Sequence, residues 1–300
     1  MGNKIFPNAY IIGAQKSATT SLFDWLGQHP EVYANPISKD FPFFTDEVLF
    51  NKRKDYFLKF FSQAGEKIIL VADANLMYVP DAVVRLHSLL PDIKLIAILR
   101  NPVKRAISAW RYAVERGLEK RTFEEAINEE MKGIKSPPSS WEGRQKNYLD
   151  HGLYFQQLKR VSQYYPDNKI LILIYEDLVK NLNHLIKKVF RFLEIDESFT
   201  VDFRIKNKTR GGQRSKFIGK ILYRARPQGN LIWGFFRLLI PSEIRGRIRL
   251  KLEEFNRVEK QSAPPVPDNL YKTLIDYYSE EISKLESSFN LNLQTWRDTL

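Results

Sequence analysis

The amino-acid sequence predicts an α/β fold in which a parallel β-sheet is flanked by helices. Over the first 200 residues, short and uniformly apolar runs alternate with amphipathic helical patterns, and strands that are apolar throughout are typical of parallel sheets covered on both faces. The first run leads through a short hydroxyl-rich loop into a helical pattern, which indicates a strand–loop–helix of the P-loop type. The predicted strands cover residues 9–12, 67–72, 94–99 and 170–174.

The helices between these strands are indicated by apolar periodicity and by proline positions. Pro80 and Pro102 each stand just before an amphipathic run, and proline is tolerated in the first turn of a helix. The segment 133–147 contains Pro137 and Pro138 followed by two serines, and we expect it to be a loop. The predicted helices cover residues 19–28, 83–90, a stretch from about 102, 153–165, 182–193 and 269–289.

Length and composition indicate one folded unit. With 300 residues, of which 43% are hydrophobic and 13% aromatic, the chain can bury a substantial core. We expect a single domain over residues 1–300. Within it, residues 1–203 would form the α/β core, residues 204–262 a basic and partly amphipathic segment, and residues 263–300 a C-terminal helix and tail.

Positive charge is concentrated in one part of the chain. The formal net charge is +12, and the segment 204–251 holds 14 basic side chains against one acidic one, which predicts an anionic partner. Three interpretations of this segment stay open: a face that binds an anionic glycan acceptor, an amphipathic surface over 213–250 that lies on an anionic membrane, and a packed helical cap with a solvated basic face. No DNA- or RNA-binding motif is recognisable, so we do not expect nucleic acid as the partner.

Several classes of protein are excluded by what the sequence lacks. It contains no cysteine, which rules out disulfides, thiol nucleophiles and Cys-ligated metals. Its four histidines are scattered without metal-ligand spacing, so no metal site is expected. No apolar run approaches the roughly 20 residues of a membrane span, and the N-terminus has no signal-peptide pattern. We therefore expect a cytoplasmic protein, with peripheral membrane contact as the alternative noted above.

The loop after the first strand has the features of an anion site. It runs from Gly13 to Ser21 between a buried strand and a helix, where free backbone N–H groups and the helix dipole favour negative charge. Lys16 adds a cation, and Ser17, Thr19, Thr20 and Ser21 add hydroxyl donors. Compared with the nucleotide P-loop, the segment is shorter and has no glycine before the lysine, which suits one phosphate rather than a triphosphate. The alternative is an ordinary N-capped helix.

A second loop of the same kind follows the strand 94–99. Arg100 stands at the end of that strand, and Ser108 lies two turns into the next helix. Because ligands of open α/β sheets bind at the carboxyl ends of the strands, both loops should lie on the same edge. Two anion loops on one edge indicate a nucleotide with separate phosphates.

In this order, the motifs resemble those of the sulfotransferases that use 3′-phosphoadenosine 5′-phosphosulfate (PAPS), above all the heparan-sulfate-type and bacterial branch. The resemblance rests on residues 16–21, on Lys-Asp-Phe-Pro-Phe-Phe at 39–44, and on Arg100 with Ser108. Further similarity lies at residues 152–154, 175–178, 192–193 and 207–212 and in the final helix followed by Trp296. The resemblance covers nearly the whole chain and is weakest from about 213 to 262. It implies a parallel α/β core, PAPS as co-substrate and 3′-phosphoadenosine 5′-phosphate (PAP) as product.

The resemblance also implies roles for individual residues. The loop from Lys16 to Ser21 would hold the 5′-phosphosulfate, Arg100 and Ser108 would hold the 3′-phosphate, and Asp40 stands where the heparan-sulfate-type enzymes carry a glutamate that acts as general base. A further loop would cover the nucleotide. The complete set of implied cofactor-binding residues is Lys16, Ser17, Ala18, Thr19, Thr20, Ser21, Arg100, Ser108, Lys208, Thr209, Arg210, Gly211 and Gly212.

The chemistry of sulfuryl transfer needs a base for the acceptor proton and a cation for the leaving phosphate. Asp40 would serve as the base if it were buried, and Lys16 would stabilise the leaving oxygen. No metal is needed, because one lysine can balance a single phosphate. A solvated surface pair of Asp40 with Lys39 is the alternative.

The sequence departs from the family in the region of the acceptor. Where the heparan-sulfate-type enzymes carry Glu-Lys-Thr/Ser-Pro, this chain has Asp73-Ala74-Asn75-Leu76, so a family lysine is missing. The candidate acceptor-binding residues are Lys39, Asp73, Asn75 and His151, with a structural role for His151 as the alternative. The acceptor itself, a carbohydrate, lipid or small molecule with a hydroxyl or amine, is not identified by the sequence.

Two other functional classes compete with a sulfotransferase. A nucleotide-dependent kinase or NTPase would use Gly13 and Lys16 as a P-loop, but the glycine before the lysine and an acidic strand end for magnesium are missing. A non-catalytic polyanion-binding protein would agree with the basic charge alone.

Overall fold

The computed structural model describes residues 5–203 and 266–297. At the centre of this part of the chain lies a five-stranded parallel sheet with the strand order β2-β3-β1-β4-β5, which confirms the predicted fold class. The four predicted strands are present, and a short strand that was not predicted is added at one edge. The strands are β1 (Ala9–Gly13), β2 (Val32–Ala34), β3 (Ile68–Ala72), β4 (Lys94–Leu99) and β5 (Ile170–Ile174).

Helices cover both faces of this sheet. Alternate residues of β1 point to opposite sides: Tyr10 and Ile12 belong to one apolar cluster, and Ala9 and Ile11 to the other, as the period of two along a strand requires. The described helices are α1 (Thr19–Leu26), α2 (Glu47–Lys52), α3 (Lys54–Leu58), α4 (Pro80–Leu89), α5 (Pro102–Glu115), α6 (Phe123–Met131), α7 (Trp141–Lys146), α8 (Tyr154–Ser162), α9 (Tyr175–Lys180), α10 (Leu182–Leu193) and α11 (Asp268–Phe289).

The segment 133–147 is not a loop throughout, contrary to the prediction, because it contains α7. The Ser140 hydroxyl accepts a hydrogen bond from the backbone N–H of Gly143 at 2.9 Å and so caps the helix. The two prolines lie before the helix and do not interrupt it. Gly143 packs so closely on Pro137 that a Cβ would stand 2.1 Å from the Pro137 carbonyl oxygen. α7 therefore packs directly against the proline-containing segment that precedes it.

Trp296, near the C-terminal end of the described residues, helps to stabilise the turn between β4 and α5 that contains Arg100. The Glu176 carboxylate accepts hydrogen bonds from the backbone N–H of Asn101 at 3.1 Å and from Nε1 of Trp296 at 2.9 Å. The Asn101 amide in turn donates to the Trp296 carbonyl at 3.0 Å. Glu176 thus has a structural role at the start of α5.

Some predictions concern residues outside the described ranges. The basic segment 204–262, the loop 208–212 and the amphipathic surface 213–250 all lie there, and the division of the chain into three parts stays a prediction. Within the ranges 5–203 and 266–297, no helix is both long enough and apolar enough to cross a bilayer.

Candidate functional site

The loop between β1 and α1 curls tightly at the carboxyl edge of the sheet. Gly13 has φ 151°, and a Cβ there would stand 3.1 Å from the Met77 side chain, so glycine is required. Lys16 and Ala18 both adopt left-handed backbone angles, with φ 68° and 66°, on either side of Ser17. Alternation of this kind turns successive N–H groups toward one concavity, the arrangement of an anion-binding nest.

Two polar features of this loop lack a protein partner among the described residues. Ala18 is the N-cap of α1 and supplies no side-chain hydrogen bond to the first turn, whose backbone N–H groups have no partner within the helix. The Ser17 hydroxyl is fully buried and has no hydrogen-bond partner. Buried polar groups are normally satisfied, so an oxygen-rich anion in this loop fits the donors present.

Lys16 lies in a concentration of positive charge. Its Nζ stands 3.9 Å from the ring centroid of Tyr112, and the guanidinium carbon of Arg116 lies 4.0 Å from the same centroid. Burial, followed by the charges of Arg116, Arg100 and Arg105, lowers the pKa of Lys16 to about 8, while Glu115 opposes this effect. The electrostatics of this locus favour a bound anion.

The structure brings the two predicted anion loops together. Arg100 Nη1 donates to the Lys16 carbonyl at 3.1 Å, and the Arg100 guanidinium carbon lies 4.6 Å from the Tyr175 ring centroid. Arg100 Nε is buried and has no partner among the described residues. Ser108 stands one turn before Tyr112 on the same face of α5 and is half-buried, so the hydroxyl shares this side of the site with Lys16.

Asp40 lies at the rim of the site rather than in its interior. Its backbone N–H donates to the Ala72 carbonyl at 2.7 Å, which holds it beside the end of β3. Its carboxylate is ion-paired with Lys39, and 53% of the side chain is exposed. The burial on which the role of Asp40 as base was conditioned is therefore not found, and the exposed pair with Lys39 matches the alternative.

The buried carboxyl group at this edge belongs to Asp73. It is 2% exposed and accepts hydrogen bonds from the Thr45 hydroxyl and the Asn75 backbone N–H, both at 2.9 Å. Burial raises the pKa of Asp73 to about 6, and the nearby charge of Asp40 acts in the same direction. The Asn75 side chain accepts a long contact of 3.5 Å from Gln15 Nε2, which connects this group with the Lys16 loop.

His151 is placed in the protein core. Its ring stacks on Tyr78 with a centroid distance of 3.5 Å and an interplanar angle of 18°, and the residue is 3% exposed. Burial, together with the charge of Arg105, holds the pKa of the imidazole well below its usual value, so the ring is neutral. The structure does not bring His151 to a surface that an acceptor could reach, which agrees with the structural alternative.

Sequence reasoning missed four residues that the fold adds to this region. Tyr112 and Arg116 follow Ser108 at helical spacing, a signal that was present in the sequence. Gln15 and Arg144 meet only through the tertiary fold, because Gln15 Nε2 donates to the Arg144 carbonyl at 2.8 Å across 129 residues of chain.

Comparison with known proteins decides the family. The sequence profile described as Sulfotransferase domain matches residues 7–217. The chain belongs to the sulfotransferase family. This agrees with the resemblance stated above and makes the protein a sulfotransferase by its domain.

The relatives of this sulfotransferase include heparan sulfate sulfotransferases. It is 26% identical over 265 residues to the human heparan sulfate glucosamine 3-O-sulfotransferase 6, with 85% of this chain and 71% of the relative covered. It is 31% identical over 210 residues to the mouse bifunctional heparan sulfate N-deacetylase/N-sulfotransferase 3, with 64% of this chain but only 23% of the relative covered.

The fold also agrees with a solved sulfotransferase. The crystal structure of a sulfotransferase from Alicyclobacillus acidocaldarius superimposes with a TM-score of 0.66 at 20% identity, covering 98% of this chain and all of the other. At this identity the comparison supports the fold.

Proposed function

We propose that this sulfotransferase transfers a sulfuryl group from PAPS to a hydroxyl or amine of a carbohydrate, lipid or small-molecule acceptor. The observation that carries the proposal is that the loops of Lys16 and Arg100 meet. Arg100 Nη1 donates to the backbone carbonyl of Lys16 at 3.1 Å, beside the unpartnered hydroxyl of Ser17. These groups offer two cationic centres and an orphaned donor to one ligand with two phosphate-type ends.

The described residues fit the co-substrate as follows. The loop from Lys16 to Ser21 would hold the 5′-phosphosulfate, with N–H groups and hydroxyls as donors. Arg100 and Ser108 would hold the 3′-phosphate, and PAP would leave as product. The predicted cover over the nucleotide, residues 208–212, lies outside the described residues and stays a prediction.

The reaction balances with residues of this chain. A new bond forms between the acceptor oxygen or nitrogen and sulfur, in line with the breaking bond between sulfur and the 5′-phosphate oxygen, and the electron pair stays on the leaving phosphate. Lys16 stabilises that developing charge, while the Asp40 carboxylate takes the acceptor proton. No metal is assigned to the reaction, because the lysine balances the single leaving phosphate.

The location of Asp40 at the rim, and not burial, supports its role as base, while its exposed ion pair with Lys39 matches the alternative interpretation. An acceptor enters from solvent, and Asp40 lies at the open rim, whereas Asp73 lies behind it and is enclosed. Asp73 therefore has a supporting role, in which it helps to position the residues of the rim and contributes to the charge there. Asn75 and Lys39, which lie beside the rim, are the candidate acceptor contacts. Two of the relatives are named as enzymes that act on heparan sulfate, and this supports a carbohydrate acceptor.

The cellular location of the protein stays a prediction from the sequence. A cytoplasmic location, with peripheral membrane contact through residues 213–250 as the alternative, has support only from the composition of the chain. Sedimentation with anionic liposomes at increasing salt concentration would test the membrane contact.

Calorimetry tests the choice of co-substrate. We expect PAP to bind and ATP–magnesium to bind at least about 100-fold more weakly, and Arg100→Ala to abolish PAP binding. Tight binding of ATP–magnesium without binding of PAP would favour the kinase or NTPase alternative. Binding of PAP that is unaffected by Arg100→Ala would indicate attraction by overall charge only.

Ser108→Ala is expected to weaken PAP binding by about 1–3 kcal/mol, because the hydroxyl is lost from a partly desolvated phosphate contact. The dissociation constant is measured by calorimetry. Ser88→Ala, on the exposed side of α4, is the matched control and should leave the affinity unchanged. An equal affinity for wild type and Ser108→Ala would remove Ser108 from the site.

PAP affinity is expected to fall as the pH rises through about 8. The pKa of Lys16 is lowered to about 8, so the ammonium form that attracts phosphate is present below this pH and is lost above it. The dissociation constant is measured between pH 6.5 and 9.5. Lys16→Arg keeps its charge throughout this range, and a parallel decline in that variant would contradict the assignment to Lys16.

A further inference from the structure

Arg144 of α7 is held in one orientation by backbone carbonyls. Its Nη1 donates to the Thr45 carbonyl at 2.9 Å and to the Ser139 carbonyl at 2.7 Å. Its own carbonyl accepts the 2.8 Å hydrogen bond from Gln15. An arginine fixed from two sides has already lost the side-chain freedom that a mobile surface arginine would lose on binding a ligand.

The other edge of this guanidinium has no partner among the described residues. Both side-chain hydrogen bonds of Arg144 are made by Nη1, and neither Nε nor Nη2 donates to a residue of the ranges 5–203 and 266–297. The Nε–Nη2 edge presents two parallel N–H groups, the geometry that matches two oxygens of a carboxylate or a sulfate. No acidic side chain of the described ranges forms an ion pair with it.

Arg144 also lies beside the acceptor edge of the site. The residue that accepts from its Nη1, Thr45, donates through its hydroxyl to the Asp73 carboxylate. The residue that donates to its carbonyl, Gln15, precedes Lys16 and contacts Asn75. The positive charge of Arg144 is near enough to Asp73 to oppose, as a minor contribution, the rise that burial causes in the pKa of that carboxyl group.

We propose that Arg144 is a specificity-determining residue that binds an anionic group of the acceptor, a carboxylate or a sulfate, through its Nε–Nη2 edge. This inference rests on the proposed function, since it assigns the class of acceptor at the same site. It favours an acidic glycan over a neutral sugar or a simple alcohol.

Heparosan and two derivatives test this inference. Heparosan carries carboxylates, its N-sulfated derivative carries carboxylates and sulfates, and carboxyl-reduced heparosan is neutral. Binding of oligosaccharides of each kind to the PAP-loaded protein is measured by calorimetry, and KM and kcat are measured with radiolabelled PAPS. The variants are Arg144→Gln, Arg144→Lys and, as the control with the same change of charge on the same helix, Lys146→Gln.

We expect wild type to bind at least one acidic polymer about 10-fold or more tightly than the neutral one. Arg144→Gln should weaken binding of the acidic polymer and raise its KM by about 10- to 100-fold, the loss typical of a charge-assisted hydrogen bond, with kcat changed little. Arg144→Lys should restore part of the affinity, and Lys146→Gln should stay within twofold of wild type. Relative affinity for the carboxylated and the sulfated polymers identifies the anionic group.

Other outcomes separate this inference from the proposed function. A loss in Arg144→Gln that is equal for acidic and neutral polymers, or that follows a lower melting temperature, would mean that Arg144 only holds α7 in place. If Arg144→Gln does not fold, an unchanged preference for the acidic polymer in Arg144→Lys contradicts the two-pronged contact. If PAP binds but none of the three polymers does, the role of Arg144 is wrong while the co-substrate assignment stands. If PAP itself does not bind, the proposed function has failed.

Discussion

Replacing Lys16 with methionine is expected to reduce sulfuryl transfer by about 10³-fold or more, because one cation both binds the phosphosulfate and stabilises the leaving oxygen. Its Nζ lies among the charges of Arg100, Arg105 and Arg116, and methionine fills a similar volume without the charge. Transfer of radiolabel from PAPS is measured on an acceptor chosen from a screen of glycans, lipids and small alcohols.

The same variant should not lose stability. Burial disfavours the charged form of Lys16 in the folded protein, which is why the pKa is lowered to about 8, so methionine at this position is expected to raise the free energy of unfolding at pH 7. Lys120→Met, at an exposed position, is the control for activity. Retention of more than a tenth of the wild-type activity by Lys16→Met would exclude the leaving-group role.

Asp40→Asn is expected to reduce kcat by about 10²- to 10⁴-fold, because asparagine has the same shape but cannot take the proton of the acceptor. The dissociation constant of PAP should stay within twofold, since the residues proposed to bind the phosphates are on other segments. Turnover and calorimetry measure the two effects on the same preparation.

Two further variants decide where the base lies. Asp92→Asn, an exposed carboxylate paired with Lys169, should behave as wild type. If Asp40→Asn keeps full turnover while Asp73→Asn loses it, the proton goes to the buried carboxyl group, and Asp40 has no catalytic role.

The sheet could be predicted because its strands are apolar along their whole length. Strands β1, β3, β4 and β5 are nearly continuous runs of buried aliphatic residues, and that pattern has few alternatives. β2 was missed because it has three residues, Val32–Ala34, and only Val32 is buried. Its position depends on pairing with β3, which no local pattern reports.

The prediction for the segment 133–147 was wrong for a related reason. Two prolines and a glycine argue against a helix when only local propensity is considered. In the fold, the prolines precede α7, and Gly143 is needed for close contact with Pro137. Long-range hydrogen bonds, from Arg144 Nη1 to the Thr45 carbonyl and from Gln15 to the Arg144 carbonyl, also fix this element and with it the position of Arg144.

The candidate site was predictable to the extent that topology brings loops to one edge. Lys16 and Arg100 follow neighbouring parallel strands, so their proximity follows from the strand order. The exposure of Asp40, the burial of Asp73 and the enclosure of His151 depend on side-chain packing between distant segments. For that reason these residues could be identified as candidates from the sequence, but whether each of them is buried or exposed could not be predicted.

The crowding of Lys16 with three arginines has a thermodynamic consequence for handling the protein. Mutual repulsion among these cations opposes folding, and any anion that occupies the pocket relieves it, so that occupancy and melting temperature are linked. Phosphate or sulfate in a buffer would then act as a stabilising additive and compete with nucleotide. A thermal-shift screen in a buffer free of such oxyanions would rank candidate ligands before any acceptor is known.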